Sequence, residues 1–217
     1  GALDWINPVY WQNQASTAQL LSRTVPNGCR ILEIDARDGA KHLYYLPPGS
    51  SVTQWVADDV AKKQPWGPVQ DAAMKTGLAV DLAPKSYENR GEDGWSAGLP
   101  ARSFDVCLSL GALDRCAATT TERRKLVDAA FRLLCDGGRL VFLEPVALEE
   151  DLASILDENP LVAACEATVN GGSIECVVVK ADAIPLAERN ILDRSKRRAG
   201  VGKGLSAKST RKKQRRP

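Results

Sequence analysis

The sequence predicts an α/β domain on a mostly parallel, doubly wound sheet, and three observations predict it. Short apolar runs alternate with helix-patterned stretches: CRILEI at 29–34, VTQWV at 52–56, LAVDL at 78–82, SFDVCLSL at 103–110 and RLVFL at 139–143. Alternation of this kind builds a parallel sheet with helices on both faces. The last apolar runs, 161–169 and 173–180, flank Asn170-Gly171-Gly172, the turn chemistry of an antiparallel hairpin. Finally, 217 residues that are 44% hydrophobic and 26% charged suit a soluble domain with a real core.

Residues 1–25 begin with an aromatic arm, Trp5, Tyr10 and Trp11, and continue into a helix-prone stretch at 14–22. Those rings are expected to cover the domain's own core, with a partner-binding patch as the alternative. The first strand, 29–34, follows the turn signal Pro26-Asn27-Gly28. A short helix over 39–46 stops at Pro47-Pro48-Gly49, and the second strand, 52–56, runs out at Asp58-Asp59. Residues 62–74 read as loop and helix, and 78–82 as the third strand. The stretch 83–100 is rich in Gly, Pro, Ser and charge and reads as a surface insertion. After the strand at 103–110, residues 121–134 place Leu126, Val127, Ala130, Phe131 and Leu134 on one helical face. Thr119–Thr121 supply its cap, and Gly137-Gly138 are expected to end it. The strand 139–143, a short helix at 151–157 and the hairpin complete the domain, taken as residues 26–188. No internal repeat is visible. Doubly wound sheets bind ligands at the carboxyl ends of their strands, where the strand order switches. The candidate site therefore follows Ile34, Val56 and Ser109.

The formal net charge of +2 hides an asymmetry. Residues 189–217 carry 12 Lys and Arg against one Asp, leaving 17 basic and 26 acidic residues for the remainder. An acidic body of −9 thus bears a tail of +11. No apolar run reaches the roughly 18 residues that span a membrane. Six cysteines without a Cys-x-x-Cys pair and a single histidine argue against a zinc or iron–sulfur site. Cys29, Cys107 and Cys176 sit in apolar runs, a usage that fits a reducing, intracellular compartment. His42, with no second ligand near it in sequence, is expected to be a surface or capping residue. The chain opens on Gly1 with no signal peptide in view, which leaves a removed organellar leader and a trimmed start both open.

Three segments resemble class I S-adenosylmethionine-dependent methyltransferases of the type 11 branch. CRILEIDARDGAK is similar to the first strand and loop of that family, and LPARSFDVCLSLGALDRC to its acidic turn and fourth strand. KLVDAAFRLLCDGGRLVFLEPV is similar to the helix, Gly-Gly turn and fifth strand, and carries the most specific match. The resemblance covers about residues 26–180 and implies a Rossmann-like fold with a C-terminal antiparallel hairpin. It implies S-adenosyl-L-methionine as cofactor. A glycine-rich loop would let backbone approach the donor's amino-acid half, an acid after the second strand would bind the ribose, and residues after the fourth strand would flank adenine and substrate. The resemblance places Glu33, Asp35, Arg37 and Gly39 in that loop, Asp58 on the ribose, and Leu110 and Gly111 after the fourth strand. The family's Glu-x-Gly-x-Gly-x-Gly here reads Glu33-Ile34-Asp35-Ala36-Arg37-Asp38-Gly39, so only one glycine remains. Asp tolerates a left-handed backbone. Arg37 is expected to compete for the methionine volume and to set a cation against a sulfonium. Only about 16 residues separate Glu144 from the hairpin, a short allowance for a lid over substrate. Loss of cofactor binding is the expectation that follows. No catalytic residue is assigned and no metal is expected.

The tail contains almost nothing to bury and cannot pack by itself. Its charge suits phosphates, whose counterions Lys and Arg release. Lacking aromatics, it reads as a backbone-binding RNA arm in which Arg197, Arg198, Lys203, Lys208, Arg211, Lys212, Lys213, Arg215 and Arg216 make the contacts. The expectation is therefore a methyltransferase-like domain with weakened or lost catalysis, serving as a subunit of a larger ribonucleoprotein of a mitochondrion or plastid. The alternatives are an active methyltransferase on a small molecule or RNA, and an inert subunit of a plastid protein complex.

Overall fold

The computed structural model describes residues 7–37, 39–57, 66–85 and 99–181. Trp5, Asp58, most of the insertion and the whole tail, including its nine candidate RNA contacts, lie outside the described residues.

The chain enters through helix α1 (Pro8–Thr24), whose Leu20 and Leu21 are fully buried. Strand β1 (Arg30–Ile34) follows, then α2 (Gly39–His42) with a 3-10 turn over Leu43–Tyr45. Strand β2 (Ser51–Ala57), α3 (Trp66–Thr76) and β3 (Ala79–Lys85) come next. After β4 (Phe104–Leu110) the chain forms α4 (Ala112–Cys116), α5 (Thr120–Leu133), β5 (Leu134–Pro145) and α6 (Glu149–Glu158). The hairpin β6 (Val162–Asn170) and β7 (Ser173–Lys180) closes it.

The seven described strands form one sheet in the order β3-β2-β1-β4-β5-β7-β6. The pairs among β1 to β5 are parallel, and β7 runs antiparallel between β5 and β6. Strand order reverses between β1 and β4, so their carboxyl ends flank the switch point. Alternation along each strand divides the core. Ile31, Val52, Val106 and Leu108 pack with Leu20, Leu43 and Val69 on one face. Leu32, Trp55, Cys107 and Phe142 pack with Leu126, Phe131 and Ile155 on the other. Each layer removes apolar surface from water at roughly 25 cal/mol per Å².

Local chemistry explains the element ends. Thr119 caps α5: its hydroxyl accepts from Glu122 N at 3.2 Å, and Glu122 Oε2 accepts from Thr119 N at 3.2 Å. This is the reciprocal capping box that Thr-x-x-Glu encodes. The helix does not run to Gly137-Gly138. It stops at Leu133 because Leu134 turns extended and pairs with Phe104. The register then jumps to Val106–Arg139, so residues 135–138 form a bulge within β5, with Gly137 at φ 72°. The aromatic arm also differs from expectation. Tyr10 and Trp11 are the first turn of α1, and Trp11 is 55% exposed rather than folded over the core. Lys41 Nζ sits 5.1 Å from the Tyr10 ring centroid, a cation–π contact joining α1 to α2.

Candidate functional site at the strand-order switch

The sheet brings Glu33, Asp35, Leu110 and Gly111 to one rim. Glu33, on β1 opposite Gln54 of β2, is buried. A carboxylate only accepts, so His42 Nδ1 and Gln54 Nε2 donate to it, the latter at 3.1 Å. His42 is therefore not a surface residue: its side chain is 12% exposed and its partner is a buried acid. Gln54 Oε1 is buried with no hydrogen-bond partner among the described residues. Gly39 opens α2 directly against this amide, since a Cβ there would lie 2.3 Å from Gln54 Nε2. The surviving glycine thus makes room for a side chain of the protein itself.

Asp35 adopts φ 51°, the left-handed backbone that Asp tolerates better than most residues. Its carboxylate is buried, and Oδ2 accepts from Arg115 Nε at 2.7 Å. Arg115 Nη2 donates to the Asp35 carbonyl and Nη1 to the Leu110 carbonyl, each at 3.1 Å. One guanidinium, rooted in α4, therefore spans from the end of β1 to the end of β4. Gly111, at φ 73°, allows this approach, because a Cβ would stand 2.5 Å from Arg115 Nη1. Arg37 behaves differently from expectation. Its side chain is 56% exposed and turns back so that Nε lies 3.2 Å from Asp35 Oδ2. The cation in the gap is Arg115, which the sequence reading did not single out.

Next to this bridge, Glu144 ends the buried part of β5. Its Oε1 accepts from Ser109 Oγ at 2.6 Å and Leu113 N at 3.1 Å, and Oε2 from Asp114 N at 3.3 Å. The carboxyl thus satisfies the first amides of α4 and holds that short helix in place. Burial pushes its pKa up to about 7, against the lowering effect of these donors and of Arg115. A polar cleft of about 630 Å³ opens beyond Gly111 and Glu144. Asn13 and Thr17 of α1, His42, and Asn170 and Ser173 at the hairpin turn line it. Among the described residues no cluster of His, Cys, Asp and Glu could hold a metal ion. No described helix is long and apolar enough to cross a membrane.

The comparisons with known proteins bear on this arrangement. No family model and no curated protein matches the sequence. Solved structures do match. A SAM-dependent methyltransferase from Aquifex aeolicus superposes with a TM-score of 0.58 at 11% identity, covering 78% of this chain and 89% of its own. A predicted O-methyltransferase from Agrobacterium tumefaciens gives 0.55 at 14%, covering 76% and 81%. The Burkholderia thailandensis 1,6-didemethyltoxoflavin-N1-methyltransferase, solved with bound 1,6-didemethyltoxoflavin and S-adenosylhomocysteine, gives 0.58 at 16%, covering 78% and 79%. The chain has the Rossmann-like fold of class I methyltransferases. The antiparallel β5-β7-β6 edge of the sheet is part of that likeness.

Glu33, Asp35, Arg37, Gly39, Leu110 and Gly111 lie at or beside the switch point, while Asp58 is outside the described residues. The structure adds Arg115, Gln54, His42 and Glu144. Glu144 carried a signal, being the acid of FLEPV in the best-matched segment. Arg115 carried none, because its reach to Asp35 crosses 80 residues of sequence.

Proposed function

We propose that this chain is a methyltransferase-fold subunit whose methyl-donor gap is closed by its own Asp35–Arg115 pair, and that it acts without catalysis in a larger ribonucleoprotein assembly. The Arg115 bridge carries the reading. S-adenosylmethionine is the group the fold family implies, and the described residues do not fit it in this arrangement. Its sulfonium would meet a guanidinium already hydrogen-bonded to both strand ends. The two glycines that could cradle it back onto Gln54 and Arg115 instead of open space. Like charges repel, and more strongly where water is excluded. The +11 tail is the complementary part, with Arg197, Arg198, Lys203, Lys208, Arg211, Lys212, Lys213, Arg215 and Arg216 pairing with RNA phosphates.

Isothermal titration of the full chain with S-adenosylmethionine and S-adenosylhomocysteine tests the first half. No heat is expected, and binding tighter than roughly tens of micromolar would defeat it. Filter binding of single-stranded RNA at several salt concentrations tests the second. Nine phosphate contacts predict a slope of about −6 in log K against log salt, lost on truncation after residue 188. The cleft beside Glu144 favours a second reading, an active methyltransferase on a small molecule in which Arg115 swings aside. Measurable donor binding by the unmodified chain would select it.

A further inference from the structure

We infer that Cys165 and Cys176 form a reversible dithiol–disulfide site, a modification site for two-electron oxidants such as peroxides. The observation is geometric. Cys165 lies on β6 and Cys176 on β7, and their sulfurs are 3.4 Å apart. The register pairs Cys165 with Val178 and Cys176 with Ala167, so the cysteines are diagonal neighbours. An offset of two residues keeps both side chains on the same face of the sheet. That face also carries Ile174 and Val178, so the thiols share an apolar surface.

Their surroundings differ in the way a peroxide-reactive pair requires. Cys165 is half-buried on the edge strand, while Cys176 is buried. The contact between the two sulfurs, in which either can donate, holds the Cys165 thiol below its ordinary pKa and, with burial, pushes Cys176 up. Cys165 is thus the attacking thiolate and Cys176 the resolving thiol. The Cys165 thiolate attacks one peroxide oxygen and the O–O bond breaks. Two electrons pass from sulfur to peroxide, giving a sulfenic acid and, after protonation, water. Cys176 sulfur then displaces the hydroxyl from Cys165 sulfur, and its proton leaves with that hydroxyl as a second water. Two thiols and one peroxide yield one disulfide and two waters.

The bond needs the sulfurs to close from 3.4 Å to roughly 2.05 Å. Strand β6 is where the sheet can yield. Its outer side has no partner among the described strands, and its pairing with β7 already slips between Val162 and Ala164, next to Cys165. Diagonal positions, at about 7–8 Å between Cα atoms, lie past the roughly 7 Å at which a bridge forms without backbone movement, so closure needs β6 to shift. The resulting disulfide is strained and correspondingly easy to reduce, which makes the site reversible.

Treating the full chain with equimolar hydrogen peroxide, followed by alkylation and non-reducing peptide mapping, tests this. A glutamyl endopeptidase is required, because Glu166 and Glu175 separate the two cysteines whereas no Lys or Arg does. The expected product joins the Cys165 and Cys176 peptides, lacks two hydrogens and returns to two free thiols with dithiothreitol. In Cys176→Ser the resolving thiol is gone, so dimedone should trap a sulfenic acid at Cys165 that the unmodified chain does not accumulate. Full alkylation of both cysteines after peroxide would overturn the proposal. So would Cys165 passing to sulfinic acid with Cys176 free, or crosslinks formed mainly by other cysteines. Mapping of the unmodified chain decides the matter even if the variant fails to fold.

Discussion

Replacing Arg115 by Ala separates the bridge's structural role from its blocking role. The guanidinium makes three hydrogen bonds, to Asp35 Oδ2, the Asp35 carbonyl and the Leu110 carbonyl, from a side chain that is 31% exposed. Stripping one partner from a fully buried pair costs about 3–5 kcal/mol. Here Arg37 remains 3.2 Å from the same Asp35 oxygen, and water can enter the vacated gap, so the cost falls to about 2 kcal/mol. For a chain of this size that lowers Tm by about 4–8 °C. Urea titration should show a lower midpoint with an unchanged m-value. Adding Asp35→Gly to Arg115→Ala should recover much of the loss. It removes the stranded carboxylate and places glycine at φ 51°, so the cycle should show an interaction energy of about 1–3 kcal/mol. The double variant should also give heat with S-adenosylhomocysteine where the unmodified chain gives none. Strict additivity of the two substitutions, or a Tm unchanged by Arg115→Ala, would refute the bridge.

Three further outcomes follow from the same geometry. Gly39→Ala should cost about 1–2 kcal/mol by equilibrium denaturation, because its Cβ drives Gln54 off Glu33, and adding Gln54→Ala should make the change nearly silent. Glu144 holds its proton more firmly folded than unfolded, with a pKa of about 7, so stability should fall as pH rises from about 4.5 to 7 and level off above. The fall is at most about 3 kcal/mol, and Glu144→Gln should flatten it in a series of denaturation curves across that range. Thr119→Ala removes the capping box of α5 and should cost about 1 kcal/mol in the same measurement.

The elements were legible because their signals are local. SFDVCLSL becomes β4 and the 170–172 turn becomes the β6–β7 hairpin, with Gly171 at φ 59°. Thr119-x-x-Glu122 opens α5, since a cap needs only side chains within one turn. Where local signals misled, a partner in another segment decided. Gly137-Gly138 look like a helix end, yet Phe104 captures Leu134 into the sheet first. His42, alone in sequence, meets Glu33 near the end of β1.

The amino-acid sequence by itself determined the sheet, its helical layers, the hairpin edge and the strand ends after Ile34 and Ser109 that form the rim, because hydrophobic period and turn chemistry act over a few residues. Tertiary structure alone decided what fills that rim. Asp35 and Arg115 are 80 residues apart, and β1 and β4 become neighbours only when the sheet reverses its order. A charge that must leave bulk water takes whichever partner the packed strands bring within reach, and nothing in a local stretch of sequence names that partner.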